Sequence, residues 1–347
     1  MTKRAAIILA GGRGSRFQTQ NGVWQDKGLA LLEGKPLLVH VVENIQQESD
    51  ETLVVVKEKQ RKVAYNELLE KHGISKVKIV TDVKAKTSGG PLIAILTGLK
   101  AAKSDICLTV PSDMPLLNPK VAEYMFKELD GSFVAVPMWP DGKLETLLMA
   151  LHRKNCLKIA ETLCQLRRER PDDIIRGALK DLFVAPLGKI KDLDPGLKSF
   201  ININYQQDLS HLTPRQSQGT NVEDLRLNLG EFPEREIEQI STLAKFENPK
   251  FPETSQILVD TVEVLEKKSL FFWAAIGWEY EGKFLLMRQR IEKDTIITKE
   301  AKDAFLKAAE NYAAESEIYR QNRCFRLAER SKSDQEWCKT QAKSITG

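Results

Sequence analysis

Between residues 5 and 136, short apolar runs alternate with stretches of helical period, and this alternation constrains the fold more than any other feature of the chain. Residues 5–10, 52–56, 77–80, 106–110 and 133–136 read as strands, and residues 36–44, 61–72, 91–103 and 119–129 as helices. Gly73 ends the second helix, and Pro119 stands in the first turn of the fourth. Strands joined by helices of this length imply crossovers, so the expected class is α/β: a Rossmann-like, three-layer, mainly parallel sheet with its ligands at the carboxyl ends of the strands. The pattern continues through helices at 156–168 and 174–181 to a closing strand at 199–204. Residues 213–220 are polar and rich in breakers, which marks a linker. With 347 residues, more than one core usually holds, the expected organisation is a domain over 1–212, a linker over 213–222 and an all-helical C-terminal domain over 223–347.

The first strand breaks at once into Gly11, Gly12, Arg13, Gly14, Ser15 and Arg16. A strand that ends in glycines and cations delivers backbone amides and positive charge to an anion, which is the requirement of a phosphate site. Lys27, eleven residues after Arg16, can join them if the intervening loop folds back. The spacing is neither that of a P-loop, with its Gly-x-x-x-x-Gly-Lys-Ser/Thr pattern, nor that of the Gly-x-Gly-x-x-Gly dinucleotide fingerprint, since Phe17 stands where the last glycine belongs. Taken alone, such a loop is also what an ordinary tight turn looks like.

Other pieces gather at the same sheet edge. Asp113 follows a strand and lies between Pro111 and Pro115; a carboxylate so placed can hold Mg²⁺ against phosphate oxygens, or simply cap the turn. Gly89 and Gly90 open the helix at 91–103, where backbone can approach a base or ribose closely. Asn202 and Asn204 fall on one face of the closing strand, and Asn204 is a candidate metal or phosphate ligand.

Composition removes other classes. The 52 Lys+Arg are nearly matched by 48 Asp+Glu, a net +4, so there is no basic excess of the kind that marks a dedicated nucleic-acid binder. No apolar run approaches the roughly 18 to 20 residues that span a bilayer, and no cleavable signal precedes the first strand, which points to the cytoplasm. Five scattered cysteines without a Cys-x-x-Cys pair indicate reduced thiols rather than disulfides or zinc.

The motifs LAGGRGSR, DKGL, GKPLLVHVV, GGPL, PSDMPLL and FININYQQDL occur in the same order as in the molybdenum cofactor guanylyltransferases, which this chain resembles over about residues 5–212. The resemblance implies a nucleotidyltransferase that moves GMP from GTP to molybdopterin with Mg²⁺. Carried over by motif, it makes Leu9, Ala10, Gly11 and Gly12 the nucleotide loop, with Arg16 and Lys27 on the phosphates; Arg13, in the same loop, is suited to neutralise the same charge. It makes Asp113 the metal-binding aspartate, Asp82 the acidic residue ahead of the glycine turn at Gly90, and Asn204 the asparagine of the closing strand. The chain departs from the pattern in a longer link between Arg16 and Asp26, in Ile93 after the GGPL turn, in Lys57 where an asparagine is usual, and in KLETL without its proline. Ile93 leaves the base open, so a cytidylyltransferase and a sugar-phosphate or phospholactate nucleotidyltransferase stand as alternatives. A nucleotide-binding interaction module that performs no transfer is the alternative outside the enzymes.

The C-terminal third carries no catalytic motif. Trp273, Gly277 and Tyr280 match the opening of a tetratricopeptide repeat, and Ala301, Phe305 and Ala308 its second helix, but about twelve residues further apart than the standard period. Aromatic residues at helical spacing also fill ordinary cores. Such a domain suits a protein partner or self-association.

Overall fold

The computed structural model describes residues 2–12, 17, 26–84, 89–178, 182–215, 224–228, 232–243 and 252–345. They fall into two compact units: Met1–Pro171 with Asp181–Arg226, and Asp172–Lys180 with Leu227–Gly347.

The first unit is built on one eight-stranded sheet. Its strands are β1 (Arg4–Leu9), β4 (Glu51–Val56), β5 (Val77–Thr81), β6 (Ile106–Pro111), β7 (Val134–Met138), β8 (Met149–His152), β9 (Leu182–Pro186) and β10 (Leu225–Leu227), in the order β10-β9-β7-β8-β6-β1-β4-β5. Pairs β1–β4, β1–β6, β4–β5 and β7–β9 are parallel. Strand β8 is antiparallel to both β6 and β7, so the sheet is mixed, though mainly parallel. Successive residues of β1 alternate between two helical layers, so residues two apart share one, as the pleat requires. Ala6 and Ile8 join one core with α1 (Leu37–Ile45), α2 (Lys59–Lys71) and α4 (Pro119–Glu128). Ile7, on the other face, presses against Gly98 of α3 (Pro91–Ala101) so closely that a Cβ there would overlap its methyl group. Helix α5 (Arg153–Gln165) packs beside α3.

Two strands of two residues, β2 (Leu31–Leu32) and β3 (Lys35–Pro36), form a hairpin whose turn places Glu33 and Gly34 at positive φ. Gly34-Lys35 therefore belongs to a turn and to no phosphate loop. The closing strand expected at 199–204 is absent. A 3₁₀ turn at Lys198–Phe200 leads into an irregular segment that pairs with no neighbouring strand among the described residues. Its alternation is satisfied by packing instead: Ile201 and Ile203 are buried with Phe17, Leu32 and Leu37 in a small separate core. Period two reports which side chains are buried, and here a side-chain core, without a backbone ladder, meets that requirement.

The second unit is helical apart from one end of β10. It contains α6 (Asp172–Gly177), α8 (Glu234–Leu243), α9 (Pro252–Lys267), α10 (Phe271–Glu292), α11 (Thr295–Gln321) and α12 (Phe325–Ser344); α7 (Leu187–Leu193) belongs to the first. The halves of the repeat-like motif lie on α10 and α11, helices of 22 and 27 residues. Gly277 abuts Val262 of α9, while Gly282 gives room to Phe305 of α11. Among the described residues no helix is long and apolar enough to cross a membrane.

Candidate functional site

The carboxyl ends of β1, β4, β5 and β6 surround a cavity of about 610 Å³ in the first unit. It is lined by Leu9, Ala10, Gly11 and Gly12 beyond β1, Lys57 beyond β4, Asp82 beyond β5, and Ser112 and Asp113 beyond β6. Lys27, Gly90, Ile93 and Asn204 complete the wall. Leu9, Ala10, Gly11, Gly12, Lys27, Asp82, Gly90, Asp113 and Asn204, all singled out from the sequence, thus share one cavity. Arg13 and Arg16 lie outside the described residues.

Among the described residues no heavy atom lies within 4 Å of the position a Cβ on Gly12 would take, and its φ is not positive, so no described neighbour requires the glycine. The space it leaves faces the cavity. Gly11 is bounded at ordinary contact distances by the Lys57 backbone, 3.6 Å, and Asp82 Oδ2, 3.7 Å. Gly90 differs. Its φ is 85°, and a Cβ would overlap the backbone carbonyl of Glu169, which accepts from Leu92 N at 3.3 Å at the start of α3. The close approach at this glycine is made by the chain itself, through a residue the sequence reading did not single out.

Lys27 Nζ donates to Asp113 Oδ2 at 2.7 Å and to Asn204 Oδ1 at 3.1 Å. Three segments far apart in sequence converge there, and each is held locally. Ser112 N donates to Leu9 O at 3.1 Å, fixing the β6 exit against the glycine loop. Ile203 N donates to Asp113 O at 3.0 Å, which brings Asn204 in without a strand. Asp208 Oδ2 accepts from Asn204 N and Tyr205 N at 2.7 and 2.8 Å, closing the turn beyond it. Asn202 is not on the cavity wall; its side chain bonds the Phe200 carbonyl at 3.3 Å.

Two carboxylate oxygens, Asp113 Oδ1 and Asp82 Oδ1, are buried without a hydrogen-bond partner among the described residues. Burial pushes the Asp82 carboxyl above its usual range, against Lys57 and a hydrogen bond from Thr97, which act downward. Orphaned buried oxygens are costly unless something meets them. Asp113 Oδ1 and Asn204 Oδ1 are hard oxygen donors of the kind that suits Mg²⁺, Asn204 Oδ1 at present accepting from Lys27. No group of three or more His, Cys, Asp or Glu among the described residues could hold a metal ion, so a cation at Asp113 would complete its shell with phosphate and water oxygens.

Sequence reasoning passed over Asp26, Arg61 and Tyr65, which also line the cavity. Asp26 Oδ1 accepts from the Tyr65 hydroxyl at 2.7 Å and from Gly28 N at 3.0 Å, while Oδ2 accepts from Arg61 Nε at 2.8 Å. Arg61 and Tyr65 sit four apart on α2, one face of one helix, and that spacing was the available signal.

A family model described as MobA-like NTP transferase domain matches residues 6–181. A protein of Methanosarcina acetivorans called probable molybdenum cofactor guanylyltransferase is 30% identical over 210 residues, covering 60% of this chain and 89% of its own. A namesake from Methanosarcina mazei is 27% identical over 209 residues, with the same coverage of 60% and 89%. The crystal structure of molybdopterin-guanine dinucleotide biosynthesis protein A from Archaeoglobus fulgidus is 22% identical and superimposes with a TM-score of 0.48, over 60% of this chain and 96% of that one.

Proposed function

This chain belongs to the MobA-like NTP transferase domain family and is a nucleotidyltransferase, and from that premise we propose that it transfers GMP from GTP to molybdopterin with release of pyrophosphate, using Mg²⁺. The observation that carries the reading is the convergence of Lys27, Asp113 and Asn204 at the mouth of the glycine-loop cavity. An ammonium between two oxygen ligands, beside a loop of backbone amides, suits a triphosphate and its cation.

In this reading an oxygen of the acceptor's phosphate monoester attacks the α-phosphorus, the bond to the β-phosphate oxygen breaks, and pyrophosphate departs. The acceptor oxygen is already anionic, so no general base is required. Lys27 places its charge on the phosphates, where charge develops in the transition state. Leu9 to Gly12 orient the nucleotide by backbone contact, and Gly12 leaves the room for it. Asp82 with Gly90 bounds the nucleoside end. Asp113 and Asn204 would hold Mg²⁺, which neutralises phosphate charge when bound. Arg13 and Arg16 extend the phosphate grip. In the cytoplasm both substrates are small soluble molecules, and the helical residues after 223 serve a protein partner or self-association.

Pyrophosphate release with each of the four NTPs, Mg²⁺ and molybdopterin tests the proposal. Release with GTP and molybdopterin together, and with neither alone, is expected. Preference for CTP would replace the base, and no release with any pair would overturn the reading.

A further inference from the structure

Residues 13–25 separate the end of the glycine loop from Asp26, and Lys27 must return to that loop across this span. Closing a loop of such length costs entropy unless its ends are held. One side chain holds both. Arg61 Nη1 donates to Ala10 O and to Gly12 O, each at 3.0 Å, at the loop's entry. Its Nε donates to Asp26 Oδ2 at 2.8 Å, at the exit. The guanidinium and its carboxylate partner are only 12% and 16% exposed, so this charge-assisted contact is largely shielded from water.

The arrangement has two effects on the cavity. Carbonyl oxygens of the glycine loop would repel a polyphosphate, and those of Ala10 and Gly12 are turned onto a cation instead. Asp26, gripped by Arg61, Tyr65 and Gly28 N, fixes the backbone from which the next residue, Lys27, reaches Asp113 and Asn204. A point charge cannot reproduce this, because three acceptors in two segments are met by the planar fork of one guanidinium.

We infer that Arg61 is a positioning residue for triphosphate binding, acting through Asp26 and the loop carbonyls to hold the glycine loop and Lys27 in one arrangement. The inference rests on the proposed nucleotidyltransferase reading of the cavity.

Calorimetric titration of the full chain with inorganic tripolyphosphate and Mg²⁺ tests it, since this probe carries neither base nor acceptor. Arg61→Ala, Arg61→Lys and Asp26→Asn should each weaken binding roughly tenfold or more in protein that still melts cooperatively. The double variant Arg61→Ala with Asp26→Asn should bind no worse than the weaker single variant, because both break one clamp. Should Arg61→Ala fail to fold, Tyr65→Phe reads the same clamp by removing one donor to Asp26, and a several-fold loss is expected. Wild-type affinity in Arg61→Lys, or multiplicative losses in the double variant, would overturn the inference. Tripolyphosphate binding with these losses, but without GTP turnover, would uphold Arg61's role and sink the proposed reaction. No binding to the wild type would sink both.

Discussion

Lys27 Nζ and Asp113 Oδ2 lie 2.7 Å apart across 86 positions of sequence. The pair is part-buried, at 16% and 24% exposure. Its importance is to the reaction. Asp113→Ala should abolish pyrophosphate release while leaving the melting transition in place. Lys27→Ala should lower turnover by one to two orders of magnitude or more, a charged hydrogen bond being worth about 1.5–3 kcal/mol. Near-normal rates in purified, folded variants would remove both residues from the chemistry.

Gly28 is tied to Tyr65 by space alone. A Cβ at Gly28 would overlap the Tyr65 hydroxyl, which donates to Asp26. Gly28→Ala should therefore push the tyrosine off Asp26 and cost about 1–3 kcal/mol, the range for overpacking. Urea denaturation of Gly28→Ala against Gly28→Ala with Tyr65→Phe gives the check: removing the overlapping hydroxyl while keeping the buried ring should recover part of the loss.

In the helical unit, Arg176 is fully buried and donates to Asp173, Glu315 and Asp334 at 2.6 to 3.0 Å. Its ring contacts are Phe272, 4.5 Å from the guanidinium carbon, and Tyr312, 5.5 Å. Attraction to these carboxylates outweighs burial, so the guanidinium is held more firmly protonated than usual. Arg176→Met withdraws the cation shared by three carboxylates, of which Asp334 keeps Arg330 at 2.9 Å, and should destabilise this unit by about 3–5 kcal/mol. Recovery of stability on adding Glu315→Gln would confirm unpaired charge as the cause.

Glu281 supplies a pH dependence. Burial raises its carboxyl from 4.5 to about 7, the Ser255 hydrogen bond opposes this, Glu300 adds to it, and Arg288 opposes it. Its Oε2 has no partner among the described residues. Below the unfolded value both states are protonated; between 4.5 and about 7 only the unfolded state ionises, so stability falls as pH rises through that window. The full effect is about 3 kcal/mol at about 1.4 kcal/mol per pH unit. Glu281→Gln should flatten the stability profile between pH 4.5 and 7, as denaturant midpoints across pH would show.

The alternation that defines β1, β4, β5, β6 and β7 was readable because both sheet faces are covered and each strand is a continuous apolar run. Asp113 was readable for a similar reason, since flanking prolines announce a turn at a strand end. Antiparallel β8 was not, because four residues ending at His152 carry no period. Residues 199–204 misled because burial and ladder pairing leave the same alternating mark. Arg61 sits in a helix full of charges, where only its place four residues before Tyr65 marks it as the one that turns inward. Arg176 meets its acids 139 and 158 positions away, beyond the reach of any local pattern.

Helix α6 has a bearing on how the protein can be divided. The family match runs through residue 181, yet Asp172–Lys180 belongs by its contacts to the helical unit, and the chain then returns to β9. The polypeptide therefore passes between the units three times, at 171, 180 and 226. Cutting it near residue 215 would take Glu315 and Asp334 from Arg176, and Trp273 from Gly177 O. The helical unit thus takes one of its helices from within the span that the family model matches.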